Sequence, residues 1–271
     1  MSPDDFERMQ TLMATRAGFR LPRDRMKLAE HRLGPVARRE GFETVDAMLA
    51  VLWAKPVARL GWSVIEALLN PETWFRRDRP TFDTFASELL PALSAARRGA
   101  PVKVWSAGCS TGQEAWSLAI GALDAGLSAE IVATDLSQRA LEKARSGAYT
   151  GFEIQRGLKA GTMLDWFDQT EDNWTANARL RSTVHFARAN LLDAPKDDHR
   201  FDVIFCRHVI CDMEPARRTG VLENLQRRLV DDGCLFLGPD EQLAGDSLAF
   251  RPVAGRKGLF VKSPAALSRA A

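Results

Sequence analysis

Over roughly the first 70 residues, apolar positions recur at intervals of three and four, the spacing of helices that bury one face. Phe6, Met9 and Met13 form one such series, and a second lies between residues 45 and 53. Residues that end or interrupt helices divide this stretch, namely Pro22, Pro35, Gly41 and Pro56. The pattern therefore predicts several short helices and a small all-helical N-terminal domain.

From about residue 101 the pattern changes to alternating strands and helices. The predicted strands are residues 102–106, 130–134, 184–186, 201–206, 234–238 and 259–262. The predicted helices between them are residues 113–125, 138–145 and 215–230. Strands that alternate with helices predict an α/β fold with a parallel sheet covered on both faces. A strand-like run at 248–253 precedes the last strand without a helix between them, so we expect an antiparallel pair at the sheet edge.

Residues 147–183 do not follow this alternation. They contain glycines, Trp166, Trp174 and polar turns, which predicts an excursion from the main sheet. The last residues, 263–271, carry no pattern and are expected to be frayed.

Composition excludes several classes of protein. The chain has 271 residues, 45% of them hydrophobic, and no apolar run approaches the roughly 20 residues that cross a bilayer. Its acidic start lacks the pattern of a secretion signal, so we expect a cytoplasmic protein. The four cysteines form no Cys-x-x-Cys pair and three lie in or beside strand-like runs, which favours buried thiols over disulfides or a metal site. A net charge of +2 argues against nucleic acid as the main partner.

A candidate nucleotide site follows the first predicted strand. Residues 106–114 read S-A-G-C-S-T-G-Q-E and lead into a helix. Small residues such as Gly108 let the backbone approach a ligand, and the N-terminus of the helix supplies N–H donors. The motif is not a full Gly-x-Gly-x-x-Gly, so a tight turn without a ligand is the alternative.

A second signal is the acid that ends the next predicted strand. Asp135 is placed to accept hydrogen bonds from both ribose hydroxyls of an adenosine cofactor. The alternative is a cap for the helix at 138–145. Together the two signals favour a cofactor site, and the absence of a phosphate-binding lysine loop favours a cofactor without phosphates.

These residues, with others in the same order, resemble the chemotaxis receptor methyltransferases (CheR-type). Residues 105–114 are similar to the family signature W-S-A-G-C-S-T-G-E-E. Upstream, E-T-W-F-R-R-D at 72–78 resembles the family's E-T-W-F-F-R-D. Further similar segments are A-T-D-L-S at 133–137, E-I-Q-R-G-L at 153–158, N-L-L at 190–192, F-D-V-I-F-C-R at 201–207, L-F-L-G at 235–238 and F-R-P-V at 250–253.

The resemblance implies a domain organisation. A helical domain at residues 1–72 would precede a Rossmann-like S-adenosylmethionine methyltransferase domain at residues 73–271. A small inserted subdomain at about 150–183 would contact the receptor or partner domains, with an ordinary surface elaboration as the alternative.

The resemblance also implies contacts with S-adenosylmethionine, whose product is S-adenosylhomocysteine. Thr73 and Arg77 would close over the methionine end of the cofactor. Glu114 would accept from its α-ammonium group, and Asp135 would hold the ribose. Arg77 has an alternative as a surface cation paired to a nearby aspartate, Asp78 or Asp83. A shifted register would use Asn70 and Arg76 in place of Thr73 and Arg77.

The other implied contacts follow later strands. Asn190 and Leu191 would border the adenine, with a loop turn as the alternative for Asn190. Arg207 and His208 would line the pocket beyond the strand at 201–206.

The implied reaction methylates glutamate side chains of a chemoreceptor. A glutamate carboxylate is ionised at neutral pH and needs no strong base, so Arg77 would act catalytically by holding it. The chain departs from the family by Arg76 in place of an aromatic, Gln113 in place of Glu, and His208 in place of Asn. The largest departure is Asp212, which replaces an aromatic close to the reacting methyl group. An acid there would attract the cofactor and repel a carboxylate acceptor.

The function expected from the resemblance is therefore a protein-glutamate O-methyltransferase of a chemosensory pathway. Its expected partner is the cytoplasmic domain of a chemoreceptor, with no nucleic acid and no membrane insertion, and we expect a monomer. Asp212 and Arg76 favour an alternative, a weak or inactive relative that acts as an S-adenosylmethionine-binding regulatory or interaction module. A methyltransferase with another acceptor is a third possibility, against which the helical N-terminal region and the collinear motifs count.

Overall fold

The computed structural model describes residues 1–55, 58–195, 197–243 and 249–263. Two compact units are present: Met1–Asn70 with Asp212–Arg217, and Pro71–Cys211 with Arg218–Ala271. The interpretation of residues 1–72 and 73–271 as separate domains stays a prediction. The expectations for Pro56, Leu248 and residues 264–271 lie outside the described residues.

The first unit is helical, as predicted. Ser2 caps its first helix by accepting a hydrogen bond from the Asp5 N–H, and the Asp5 carboxylate accepts one from the Ser2 N–H. The two bonds satisfy N–H groups that have no partner within the helix. The buried faces contribute Phe6, Met9, Met13, Leu33, Met48 and Val64 to the core of the unit. Its helices are α1 (Pro3–Arg16), α2 (Met26–Arg39), α3 (Val45–Ala54) and α4 (Ala58–Leu68).

The predicted break at Pro35 is wrong, because Pro35 lies inside α2. Proline removes one hydrogen bond from a helix interior. The helix has buried residues on both sides of the proline, Leu33 before it and Val36 after it, and their packing keeps the helix continuous. Gly41 follows the end of α2 with φ of +84°, in agreement with the predicted break there.

The second unit contains the α/β sheet that the alternating pattern predicted. Seven strands lie in the order β6-β2-β1-β7-β8-β10-β9. Neighbours from β6 to β8 are parallel, whereas β10 is antiparallel to both β8 and β9, which confirms the antiparallel edge. The strands in the described part of the unit are β1 (Val102–Ala107), β2 (Ala129–Asp135), β3 (Ala148–Thr150), β4 (Phe167–Gln169), β5 (Asn173–Ala176), β6 (Val184–Arg188), β7 (Phe201–Phe205), β8 (Leu229–Phe236), β9 (Phe250–Pro252) and β10 (Leu259–Lys262).

Helices follow the strands and bury apolar faces. Within α7, Trp116, Leu118 and Ile120 are buried in the core. A π-helical turn, Phe85–Leu89, brings Phe85 edge-on to Phe205 of β7, with ring centroids 5.4 Å apart. The helices after residue 70 are α5 (Arg79–Thr84), α6 (Leu90–Ala96), α7 (Gln113–Asp124), α8 (Gln138–Ser146), α9 (Gly151–Gln155), α10 (Ala160–Trp166), α11 (Ala178–Arg181) and α12 (Pro215–Arg228).

The excursion between α8 and β6 forms a small subdomain, as expected. Its strands make a separate antiparallel sheet in the order β3-β5-β4. Phe75 of the segment before α5 packs edge-on against Tyr149 and Phe167, with ring centroids 5.0 and 5.6 Å away. A Cβ on Gly157 would lie 1.8 Å from the Phe75 carbonyl oxygen, so only glycine allows the insert to approach residues 72–78 so closely.

The order in which the chain adds strands to the sheet reverses beside β1, and a reversal of this kind leaves a crevice at the sheet edge. The chain runs from β1 outward to β2 and β6, and then returns to β7 on the other side of β1. Ligands of open α/β sheets bind outside the carboxyl ends of strands at such a point. Within the described residues, no helix is long and apolar enough to span a bilayer.

Candidate active site

The turn after β1 has a backbone that only glycine permits at two positions. Gly108 and Gly112 have φ of +90° and +95°. A Cβ on Gly108 would lie 2.6 Å from Val209 Cγ2, and one on Gly112 would lie 2.8 Å from Ala144 Cβ. The Gly108 N–H donates to the Thr134 carbonyl at 2.8 Å, which ties the turn to the end of β2. The sequence correctly predicted a tight, small-residue turn here.

Asp135 is the last residue of β2, and its carboxylate is held at the same turn. Oδ2 accepts from the Ser110 N–H and Oδ1 from the Ser137 N–H, both at 2.8 Å. The capping of α8 belongs to Ser137, whose hydroxyl accepts from the Ala140 N–H. Asp135 supports the same helix start by accepting from the N–H of this cap residue, and its contact with a ribose stays a prediction. The half-buried carboxylate lies at the edge of the sheet where a ligand is expected.

A buried ion-pair cluster joins α7 to the segment after β7. The Arg207 side chain is 1% exposed, and it donates to Glu114 Oε2 at 3.1 Å and to Asp78 Oδ2 at 2.6 Å. Its Nη2 also donates to the Arg77 carbonyl at 2.7 Å. Glu114 is held a second time by the Ser106 hydroxyl at 2.8 Å. A buried guanidinium is stable only with such complementary partners.

His208 joins the same cluster. Its Nε2 lies 2.7 Å from Asp78 Oδ2, the atom that Arg207 also contacts. Its backbone has φ of +57°, a left-handed conformation that is uncommon outside glycine. The structure thus brings Glu114, Arg207 and His208 together around an acid, Asp78, that the sequence analysis did not select.

Arg76 and Arg77 point to different partners. The Arg77 guanidinium stacks 4.4 Å from the Trp74 ring and donates to the Glu72 carbonyl at 2.9 Å. The Asp83 carboxylate pairs with Arg76 at 3.5 Å, and the Asp78 carboxylate pairs with Arg207. The surface pairing of Arg77 with either aspartate is therefore absent among the described residues. Thr73 is half-buried in the same segment.

Asn190 and Leu191 lie in the loop after β6. The Asn190 side-chain oxygen accepts from the Leu192 N–H at 3.1 Å, which is the loop-turn role expected as the alternative. The Leu191 carbonyl accepts from the Asn224 side chain at 3.1 Å. The loop is thus fixed, and contact of these two residues with an adenine stays a prediction.

Asp212 is the first residue of a segment, Asp212–Arg217, that belongs to the helical unit. It is exposed in a 3₁₀ turn, Ile210–Asp212, and its carbonyl accepts from the Arg20 N–H at 2.9 Å. The expected position of Asp212 beside the reacting methyl group, where it would act on cofactor and acceptor by its charge, stays a prediction, as does the catalytic role of Arg77.

Burial keeps three of the four cysteines protonated. Desolvation raises the pKa of the Cys109 and Cys206 thiols well above the ordinary value and raises the pKa of Cys234 to about 12. These three are buried free thiols, as expected, whereas Cys211 is exposed. The described residues contain no cluster of side chains suited to a metal ion.

Two acids of the site, Asp78 and Glu241, were not predicted from the sequence. Each accepts hydrogen bonds from the segment after β7, although neither lies near it in sequence. The only available signal was that Glu241 follows the carboxyl end of β8, the edge where ligands of such sheets bind.

The edge of the sheet is rich in fixed carboxylates. Asp135, Glu114 and Asp78 follow or neighbour the carboxyl ends of β2, β1 and β7. Carboxylates accept hydrogen bonds from hydroxyl and ammonium groups and repel phosphates. The side chains therefore fit S-adenosylmethionine, which carries a ribose, an ammonium group and a sulfonium but no phosphate.

Comparison with known proteins is consistent with this geometry. The model of the CheR methyltransferase family, SAM binding domain, matches residues 71–259. The chain is 30% identical over 252 residues to chemotaxis protein methyltransferase Cher2 of Pseudomonas putida, covering 89% of this chain and 91% of that protein. It is 29% identical over 270 residues to a chemotaxis protein methyltransferase of Vibrio parahaemolyticus, covering 97% and 98%.

Another relative has a different name. The chain is 34% identical over 184 residues to the probable biofilm formation methyltransferase WspC of Pseudomonas aeruginosa. That match covers 66% of this chain and 43% of WspC.

Proposed function

Because the chain belongs to the CheR methyltransferase family, we propose that it is a protein-glutamate O-methyltransferase that acts on chemoreceptor proteins. S-Adenosylmethionine is its cofactor. The observation that carries the proposal is the nearly full-length similarity to chemotaxis protein methyltransferases, which covers 97% of this chain and therefore extends beyond residues 71–259 that the family model matches. The similarity to WspC covers a smaller share of both chains, so a function like that of WspC has less support.

The fixed side chains of the site would bind the cofactor. Asp135, oriented by two backbone N–H groups, would accept from the ribose hydroxyls. Glu114, oriented by Ser106 and Arg207, would accept from the α-ammonium group. Thr73 and Arg77 would close over the methionine end, and Asn190 and Leu191 would border the adenine. When bound, the cofactor supplies a methyl group on a positively charged sulfur, which is already activated for transfer.

The acceptor chemistry needs orientation more than proton transfer. A glutamate carboxylate has an ordinary pKa near 4.3, so at neutral pH it is already the nucleophile. A base is unnecessary, which agrees with the engagement of His208 Nε2 by Asp78. Arg77 would hold the carboxylate in line with the transferred group. Orientation of this kind supplies on the order of 7–11 kcal/mol in favourable cases.

Titration calorimetry tests the cofactor site. S-Adenosylmethionine and S-adenosylhomocysteine are expected to bind the wild-type protein with micromolar affinity, and Asp135→Ala is expected to lose that binding. Asp168→Ala serves as the control, because Asp168 is an exposed acid in β4 of the insert. Well-folded wild-type protein that binds neither compound would contradict the enzyme proposal and favour an inactive relative that has lost the cofactor site and acts as an interaction module.

Methyl transfer to a receptor tests the acceptor. The protein is incubated with methyl-labelled cofactor and the cytoplasmic fragment of a chemoreceptor, and the labelled product is treated with base. Carboxylate methyl esters release volatile methanol under these conditions, so base-labile label is expected on the receptor fragment. Label that survives base, or that enters only small molecules, would place the acceptor in another class.

A further inference from the structure

Glu241 connects two loops at the carboxyl edge of the sheet. It follows β8, and its Oε2 accepts from the His208 N–H at 2.8 Å and from the Gly238 N–H at 2.6 Å. Its Oε1 accepts from the Cys211 N–H at 2.9 Å. One carboxylate thus holds three main-chain N–H groups, two of them in residues 207–211, which we name the β7 loop.

The β7 loop has a conformation that needs such support. His208 has φ of +57°, which places its Cβ in an unfavourable contact with its own backbone. Hydrogen bonds from a carboxylate to the N–H groups of His208 and Cys211 stabilise this conformation, and bonds to a charged acceptor are the stronger kind. Gly238 leaves the space for this arrangement, since a Cβ there would lie 3.0 Å from Glu241 Oε2 and 3.1 Å from His208 Nδ1.

The β7 loop in turn orients the acids of the candidate site. Arg207 contacts Glu114 and Asp78, and His208 contacts Asp78 through Nε2. The other ring nitrogen, Nδ1, lies on the side of Gly238, whose missing side chain leaves room for the imidazole. A shift of the loop backbone would move Arg207 and with it the Glu114 carboxylate.

We propose that Glu241 is a positioning residue: it fixes the β7 loop so that Arg207 and His208 hold Glu114 and Asp78 in place for the cofactor. This inference rests on the proposed cofactor site. Both carboxylate oxygens of Glu241 are needed, because each accepts from an N–H group. A glutamine would place its NH₂ group against at least one of these donors, whichever way its amide is turned.

The test compares Glu241→Gln with Asp240→Asn, which removes the same charge from the exposed neighbouring residue. S-Adenosylhomocysteine binding is measured by calorimetry well below the melting temperature, and amide hydrogen exchange is measured in the β7 loop and at Gly238. Glu241→Gln is expected to weaken binding at least tenfold and to speed exchange at His208, Cys211 and Gly238. Asp240→Asn is expected to stay within twofold of wild type in both.

Glu241→Asp provides a milder second variant if Glu241→Gln does not fold. It keeps the charge but is one methylene shorter, so we expect an intermediate loss of affinity and of exchange protection. A purely structural role would lower the melting temperature of either variant and leave the affinity of the folded protein unchanged, which would overturn the inference. Failure of the wild type to bind would instead overturn the proposed function.

Discussion

Arg76 and Arg77 are adjacent in sequence but have different environments. Arg76 has φ of +51°, its N–H donates to the Ser117 hydroxyl at 3.0 Å, and its guanidinium pairs with Asp83. Arg77 stacks on Trp74, whose ring also lies 4.0 Å from Arg156 of the insert. Arg76 therefore makes contacts of the kind that stabilise the fold. The Arg77 carbonyl instead accepts from Arg207 of the buried ion-pair cluster.

Replacing the two arginines separately tests which one serves the acceptor. Arg77→Met is expected to lower kcat/KM for the receptor glutamate by roughly 10- to 150-fold, because a hydrogen bond to a charged group is worth about 1.5–3 kcal/mol. Arg76→Met is the matched control and is expected to change kcat/KM by less than about threefold once folding is verified. Initial rates of base-labile methylation at several receptor concentrations measure both. A larger loss in Arg76→Met would favour the shifted register that uses Asn70 and Arg76.

At the scale of residues, local patterns predicted the turn and its acid. Gly108 and Gly112 were recognisable because a strand and a helix flank them, and Asp135 because it ends a strand. Asp78 was not selected, since its partner Arg207 is 129 positions away in sequence. One chain without aligned relatives carries no signal for such a pairing, which depends on the order of strands in the folded sheet.

At the scale of elements, an ion-pair cluster links the end of α6 to β7 and β8. Arg97 donates through Nη1 and Nη2 to both oxygens of Asp232, at 2.8 and 2.7 Å. Its Nε donates to Asp202 at 2.6 Å, and Asp202 also accepts from the Lys103 N–H of β1 at 2.7 Å. One guanidinium therefore connects α6 to two adjacent strands.

This cluster makes part of the stability depend on pH. The hydrogen bond from Arg97 lowers the pKa of Asp232, so the folded state binds the proton less tightly than the unfolded state. The resulting stabilisation is present above the unfolded pKa of about 3.9 and is lost as pH falls through the lower folded value. Because Asp232 is 61% exposed, Asp232→Asn is expected to cost only about 0.2–1 kcal/mol at pH 7.

Urea unfolding at several pH values measures that difference. The gap between wild type and Asp232→Asn is expected to narrow below about pH 4. Asp168→Asn is the control: Asp168 is exposed and has no ion pair among the described residues. A gap that persists unchanged at low pH would mean that Asp232 stabilises the strand by something other than its charge.

The main sheet was predictable at this scale because its strands are apolar and several alternate with long helices such as α7 and α12, of 12 and 14 residues. The insert was recognised only as a failure of that alternation. Its elements span three to seven residues, as in β3 and α10, which is too short for periodicity to distinguish a helix from a strand. Pro35 was misjudged because burial on both sides of a proline is a tertiary property.

At the scale of the whole molecule, the chain passes between its two units three times. The crossings follow Asn70, Cys211 and Arg217, because Asp212–Arg217 belongs to the helical unit. Within that unit, Met213 pairs with Phe19 in an antiparallel bridge, and the Glu214 N–H donates to the Gly18 carbonyl at 2.8 Å. The helical unit therefore holds a segment whose two ends continue into the methyltransferase unit.

This connectivity predicts that one cut will not separate the units. With a protease site inserted between the exposed Asn70 and Pro71, the cleaved fragments are expected to elute together in native size-exclusion chromatography and apart in denaturant. The reason is that residues 1–70 keep their contacts with Met213, whose side chain is 1% exposed. Met213→Asp buries an unpaired charge at that position, which is strongly unfavourable, and is expected to release the N-terminal fragment after cleavage. Separate elution of the cleaved wild-type fragments would mean that the bridge and the backbone hydrogen bonds of residues 212–214 are too weak to hold the segment, and that the covalent link at residue 70 keeps the helical unit in place.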